Sequence, residues 1–313
     1  MRIAIYGTGG VGGYFGAQLA RAGEDVIFIA RGAHLAAIRE HGLRVETPKG
    51  EIAIRPAQAT DDPAAAGPVD AVLVCVKTWQ VLEAARAMRP LIGAETVIVP
   101  LQNGVEAAGQ LTAALGAERV IGGTCGTVSQ VAGPGRIRSA GEVHFVKLGE
   151  LDNRPSGRVE RLRQAFERAG VKAEVPADIL QAIWGKFVLV VSFGGVGAVT
   201  RAPLGVLRSV PETRVMLEQC LHEAVAVARA RGVGLPEPTI PNTLAMLDSM
   251  PPGATTSLQR DIADGKPSEL EAWTGAAVRL GRAAGVATPT HDFIYSSLLP
   301  AEGRARGGIQ FPA

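Results

Sequence analysis

The residues best placed to do chemistry fall into two groups. Near the N-terminus, Gly7-Thr8-Gly9-Gly10-Val11-Gly12 spells G-x-G-x-x-G between a short apolar, β-branched stretch (2–6) and a helix-like one (11–22). In that setting the first glycine makes the tight turn, the second lets the backbone approach a pyrophosphate, and the third lets the helix pack closely on the strand. The helix N-terminus then faces the negative charge, so a dinucleotide is the ligand this pattern fits. Gly13 and Gly16 extend the small-residue face and read as packing positions. The second group centres on Lys186. On a helix, Ile179, Ile183, Lys186 and Val190 fall within about 60° of one arc, which puts one ammonium in an apolar stripe. Such a group is paired, deprotonated or at a cleft, and desolvation moves its pKa toward the range of a working general acid. The bland reading is a lysine snorkelling past the helix edge. Glu269 is a candidate partner, although Ser268-x-x-Glu271 also reads as a capping box.

The ends of the predicted strands carry further candidates. An NAD site places Asp or Glu after the second strand. Here the stretch 26–30 runs into Arg31, while Glu24 and Asp25 come at its entrance. A guanidinium suits a 2′-phosphate and a carboxylate would repel it, so Arg31 reads as an NADPH determinant. Lys77 follows the stretch 69–76, and either reinforces the phosphate end or is surface charge. Gln102-Asn103-Gly104 follows the stretch 96–100, and Asn103 reads as a hydrogen-bonding group for nicotinamide ribose or substrate, or as a turn residue. The five histidines have no metal spacing, so no metal is expected. Cys75 and Cys220 lie in strand and helix patterns, as core residues rather than nucleophiles.

These residues need elements to hold them. Near-continuous apolar strands (2–6, 26–30, 69–76, 96–100) alternate with helices in the first half, which predicts a parallel sheet covered on both faces. Stretches 43–47 and 51–55 around Pro48-Lys49-Gly50 predict a small hairpin appended to that sheet. Further strands are expected at 119–123 and 143–148, separated by Gly133-Pro134-Gly135. After about residue 175 helical spacing takes over (179–191, 211–231, 239–250, 268–284), and 302–313 read as a loose tail. The expectation is an α/β N-terminal domain with a mainly parallel sheet, residues 1–175, and an all-α C-terminal domain, residues 176–313.

Composition agrees with two modest domains: 313 residues, 47% hydrophobic and 20% charged. A net charge of +2 is too near neutral for a nucleic-acid binder or a membrane-surface protein. The chain opens into a strand and glycines rather than a signal-peptide core. The 14 residues between Lys186 and Arg201 fall short of the roughly 20 that a bilayer span needs, so the chain is expected to be soluble. Three widely spaced cysteines predict a reducing, cytoplasmic setting. Apolar surface on the helical half predicts a homodimer.

Taken in order, Gly7 to Gly12, Arg31, Lys77-Thr78-Trp79-Gln80, Asn103-Gly104, Trp184-Gly185-Lys186 and Thr256-Ser257-Leu258-Gln259-Arg260-Asp261-Ile262 followed by Glu269 make the chain resemble the ketopantoate reductase family over nearly its whole length. The resemblance implies a Rossmann-type domain plus a helical one, with the active site in the cleft between them. It implies NADPH held by Gly7, Thr8, Gly9, Gly10, Val11, Gly12, Arg31, Lys77, Gln80 and Asn103, and hydride delivery to C2 of a 2-oxo acid, giving the (R)-2-hydroxy acid. In that family the residue matching Lys186 protonates the alkoxide, that matching Glu269 orders lysine and substrate, and those matching Asn103 and Ser257 contact substrate. Two family asparagines of the substrate pocket are Val190 and Gly194 here, and a third is Ala254. Their loss removes hydrogen bonds, opens volume at Gly194 and points to a more apolar acid than ketopantoate. The alternatives are a D-2-hydroxy acid dehydrogenase for branched or aromatic 2-oxo acids and a non-catalytic NADP(H)-binding regulator.

Overall fold

Alternate residues of a strand point to opposite faces, and here both faces are buried. In the computed structural model, which describes residues 1–310 without the side chains of Glu142 and Val143, Ile3, Ile5, Phe28, Leu73 and Val99 enter one core. Ala4, Tyr6, Ile27, Val72 and Ile98 enter another. The strands are β1 (Arg2–Tyr6), β2 (Asp25–Ile29), β3 (Leu43–Thr47), β4 (Gly50–Ile54), β5 (Gln58–Thr60), β6 (Val69–Val74), β7 (Ile92–Pro100), β8 (Gly122–Gly133), β9 (Arg136–Gly149) and β10 (Lys172–Glu174). Five of them form a wholly parallel sheet in the order β5-β2-β1-β6-β7. Successive connections leave β1 in opposite directions, so the switch point of this sheet lies between β1 and β6, where α/β folds bind ligands. The connecting helices are α1 (Gly10–Arg21), α2 (Gly32–His41), α3 (Pro63–Ala66), α4 (Val81–Ala87), α5 (Ala107–Leu115) and α6 (Gly157–Arg168).

The predicted hairpin forms as β3–β4, but it joins a different sheet, ordered β10-β9-β3-β4 with β8 paired on β9. β3 runs parallel to β9 from Arg44 opposite Arg136 to Glu46 opposite Arg138. The Glu46 carboxylate takes both guanidinium groups, with Arg138 Nε at 3.0 Å, and Leu43, Val45 and Ile137 are buried in one cluster. That partner is some ninety residues away, beyond any local pattern. β8 and β9 are also longer than the apolar stretches predicted, and they pair across the Gly133-Pro134-Gly135 turn. Residues 119–121 contribute only a parallel bridge between Ile98 and Val120.

Contacts divide the chain into two compact units, Met1–Gln102 with Glu106–Ala182, and Asn103–Val105 with Ile183–Ala313. The helices of the second part are α7 (Ile179–Thr200), α8 (Leu204–Ser209), α9 (Pro211–Ala230), α10 (Thr239–Ser249), α11 (Ser257–Ala263), α12 (Ala276–Ala283) and α13 (Pro289–Ala305). Among the described residues α7 is the one helix long and apolar enough to cross a membrane, yet 67% of its most apolar window is buried inside the protein. It is a core helix, with Trp184, Phe187, Val188 and Val191 packed among Leu217, Leu221, Trp273 and Ile294.

Two expectations change here. The helix predicted from 268 begins only at Ala276, after a π-helical turn, Glu271–Gly275. No Ser268–Glu271 capping box forms: the Glu271 carboxylate accepts from Arg279 and from Tyr295 Oη at 2.5 Å, and the Ser268 hydroxyl goes to Glu302. The predicted tail starts inside α13, because Glu302 is buried; residues 311–313 lie outside the described residues.

Candidate active site

In the first unit the glycine loop has the geometry its spacing predicts. Gly7 adopts φ +102°, and a Cβ there would stand 2.8 Å from Val76 Cγ1. A Cβ on Gly12 would lie 2.1 Å from the Gly7 carbonyl oxygen, so only glycine lets α1 approach β1 this closely. Gly9 differs: a Cβ there meets nothing within 4 Å. It is the N-cap of α1 and contributes no side-chain cap. Open space in front of uncapped first-turn N–H groups is what a pyrophosphate needs. Gly10 owes its residue type to packing, since a Cβ would lie 2.2 Å from the Ser129 carbonyl oxygen. Gly13 and Gly16 press on Ile137, Phe28 and Ile5, the packing role expected of them. Val11 is half-buried on the first turn of α1, and the Thr8 hydroxyl donates to the Ile29 carbonyl at 3.0 Å.

Sequence reasoning passed over His34. Its Nδ1 accepts the Gly135 N–H at 3.0 Å, and its Nε2–H donates to the Thr8 carbonyl at 2.8 Å. One imidazole thus ties the glycine loop to the β8–β9 turn. The signal was weak, a histidine three residues after Arg31 with no partner nearby in sequence.

Arg31 is the N-cap residue of α2 and is exposed. Its Nη2 donates to Glu83 Oε1 at 3.1 Å, an exposed pair that pushes the guanidinium pKa further up. Lys77 Nζ sits 5.8 Å from the Trp79 ring centroid, and the Gln80 side-chain oxygen accepts the Lys77 N–H at 3.3 Å. The buried Gln102 amide donates to the carbonyls of Val74 and Val76 at 2.8 and 3.0 Å, fixing the strand ends beside this loop.

The second unit gathers the other candidates. Half-buried Lys186 donates from Nζ to Oδ1 of Asn103 at 2.6 Å. Gly104 has φ +109°, a turn that favours glycine, and its Cβ would come 3.3 Å from the Ala272 carbonyl oxygen. The Asn103–Gly104 corner therefore rests against the turn that follows Glu269. Glu269 is buried, and its carbonyl accepts the N–H groups of Ala272 and Trp273 at 3.1 and 3.0 Å. Ser257 opens α11, half-buried, after Thr256 caps that helix by accepting the Gln259 N–H.

Around α7 the volume expected at Gly194 is filled. A Cβ at 194 would stand 2.8 Å from Trp273 Cζ3, so the indole packs directly on this glycine and leaves no room for a side chain. Val190, half-buried, packs against the same core. Trp273 was not legible as a site residue, although a glycine where an amide is expected is the kind of gap a large neighbour fills. Elsewhere, burial pushes the Cys75 and Cys220 thiols up, which suits core residues. Among the described residues no three of His, Cys, Asp and Glu converge on a metal-sized site.

Known proteins resemble the chain at both ends. The family model described as "Ketopantoate reductase PanE/ApbA" matches residues 3–153, and that of its C-terminal part matches residues 178–302. The 2-dehydropantoate 2-reductase of Nostoc sp. is 30% identical over 312 residues, covering 98% of this chain and 97% of that protein. The 2-dehydropantoate 2-reductase of Mesorhizobium japonicum is 32% identical over 323 residues, covering 95% and 96%. The crystal structure of a PanE/ApbA family ketopantoate reductase from Ralstonia eutropha JMP134 matches with a TM-score of 0.89 at 33% identity, covering 98% of this chain and 100% of that one.

Proposed function

Because this chain belongs to the ketopantoate reductase family, oxidoreductases acting on a CH–OH group, we propose that it uses NADPH to reduce a 2-oxo acid to the (R)-2-hydroxy acid, with 2-dehydropantoate as substrate. The observation that carries this reading is the Lys186–Asn103 hydrogen bond at 2.6 Å, which aims a half-buried ammonium instead of leaving it to solvent. The glycine loop fits the dinucleotide through its open face at Gly9, and Arg31 and Lys77 fit its 2′-phosphate by charge.

Bound NADPH supplies the hydride for C2 of the substrate. Negative charge then collects on the carbonyl oxygen, and Lys186 Nζ gives that oxygen a proton. A cation aimed at developing charge stabilises the transition state more than the ground state. Asn103 takes one of the three ammonium N–H groups and so sets the direction of the other two. Glu269 orders the lysine and the substrate, while the Ser257 hydroxyl contacts the substrate. With Lys186 replaced by Ala, kcat should fall by about 100-fold or more with cofactor affinity unchanged. Intact turnover in that variant would remove the mechanism.

One observation favours a more apolar substrate. Val190 and Gly194 put an apolar and a minimal side chain where the family places amides, and the buried Trp273 ring fills the space at Gly194. Steady-state NADPH oxidation with ketopantoate, 2-oxoisovalerate and phenylpyruvate separates the cases. A kcat/KM for ketopantoate well above the others supports the family substrate. Preference for the other two assigns the enzyme to apolar 2-oxo acids.

A further inference from the structure

We infer that Glu302 and Arg306, at the end of α13, are positioning residues for Glu269. They act through Ser268, the residue before it, which they grip at three atoms. The Ser268 N–H donates to both carboxylate oxygens of Glu302 at 3.1 Å, and its hydroxyl donates to Oε2 at 2.5 Å. Its carbonyl accepts from Arg306 Nη2 at 2.9 Å, and Arg306 Nε closes the ring on Glu302 Oε1 at 2.6 Å. The Ser268 hydroxyl also accepts the Leu270 N–H at 3.3 Å. On the other side of Glu269, its own carbonyl is held by the N–H groups of Ala272 and Trp273. Hydrogen bonds therefore hold the backbone both before and after Glu269, at the point from which its side chain starts.

Burial argues that this arrangement has a purpose. Ser268 is 0% exposed and Glu302 6% exposed. A carboxylate taken that far from water is costly unless donors surround it, and here Ser268 and Arg306 are those donors. Glu302 in the last turn of α13 and Arg306 at its C-cap are four positions apart, about one helical turn, so the end of α13 presents both gripping groups to one peptide. A clamp of this strength beside an ordinary loop would have little to do. Next to a carboxylate that must meet a lysine and a substrate within a few tenths of an ångström, it sets the geometry on which the rate depends.

The inference rests on the reading of Glu269 given above, and the test separates the two. Kinetics with the 2-oxo acid and NADPH affinity by nucleotide fluorescence would be measured on the full chain carrying Glu269→Gln, Glu302→Gln, Arg306→Gln or Arg306→Lys. The first substitution would then be combined with each of Glu302→Gln and Arg306→Gln. The expected result is an about tenfold loss of kcat/KM from Glu302→Gln and from Arg306→Gln, with partial recovery in Arg306→Lys. NADPH affinity should stay within about twofold, and in the Glu269→Gln background the same changes should cost less than about twofold, because their route to the substrate is gone. Losses that add in full to that of Glu269→Gln, or an unchanged rate in the single variants, would overturn the clamp while leaving Glu269 in its role. Full activity of Glu269→Gln would overturn the role and the clamp together. Should Glu302→Gln fail to fold, Arg306→Gln, whose side chain is 37% exposed, carries the same cycle.

Discussion

At Gly194 and Arg31 the residue type decides more than the motif around it. Restoring the family amide at 194 would not restore the family pocket, because a Cβ there already meets the Trp273 ring at 2.8 Å. Gly194→Asn should overpack the core and cost about 1–3 kcal/mol, read as a lowered melting temperature. Val190→Asn, at a half-buried position, should fold and should raise kcat/KM for a hydroxylated 2-oxo acid relative to an apolar one. Equal ratios before and after would show that position 190 does not face the substrate. Arg31 makes a different prediction. Its bond to Glu83 joins two exposed groups, each 63% exposed, so it contributes little to stability. Arg31→Ala should therefore leave the melting temperature unchanged while weakening NADPH binding about tenfold and NADH binding little. An unchanged NADPH-to-NADH affinity ratio would take the 2′-phosphate away from Arg31.

Among the elements, α1 is the one whose sequence and structure agree most closely. Three of its constraints are local: Gly7 turns, Gly12 meets the Gly7 carbonyl, and Gly16 fits between Ile5 and Phe28. Each acts within a strand–loop–helix unit, which is why 2–6 and 11–22 could be read from the sequence with little shift. Gly12→Ala should push α1 off β1, and both melting temperature and NADPH affinity should fall; unchanged values would mean the helix can slide without consequence. Elements fixed from far away were not legible. The β3–β4 hairpin was visible, but the strand it pairs with, β9, lies some ninety residues away, where Val45 and the Ile137 opposite it are buried in one cluster. The long β8–β9 pair hid because its outer residues, Val128 and Val131 among them, are exposed and lack an apolar run. The end of α13 looked like a tail because the partner that buries Glu302 is Ser268, thirty-four residues earlier. The candidate site divides in the same way. Lys186, Asn103 and Glu269 could be named from stripe, strand end and resemblance, whereas His34 and Trp273 depend on contacts no local pattern encodes.

Across the whole molecule, carboxylates wholly or partly removed from water and held by hydrogen bonds make stability depend on pH in both units. In the first, Glu24 accepts from the Met1 ammonium and from Arg168, the latter at 2.7 Å, and Glu150 accepts from Arg158 at 2.6 Å. In the second, Glu223 accepts from His291 Nδ1 at 2.7 Å and from the N–H groups of Thr290 and His291. Burial alone would raise the pKa of each carboxyl, but these hydrogen bonds outweigh it and hold all three below the ordinary value of 4.5. A folded pKa below the unfolded one means the folded state binds fewer protons. The stabilisation is therefore complete above the unfolded value and is lost as the pH falls through the folded one. Melting temperature should be nearly flat from about pH 7 to about pH 5 and should drop steeply below the ordinary carboxyl range. Glu150→Gln and Glu223→Gln should each lower the melting temperature at neutral pH and make the acid limb shallower, since the group that gained a proton there is gone. Curves that stay parallel to the parent through the acid limb would place the titrating groups elsewhere. Because Glu150 lies in the first unit and Glu223 in the second, the two variants also report which unit yields first to acid: the one whose substitution flattens the earlier part of the fall.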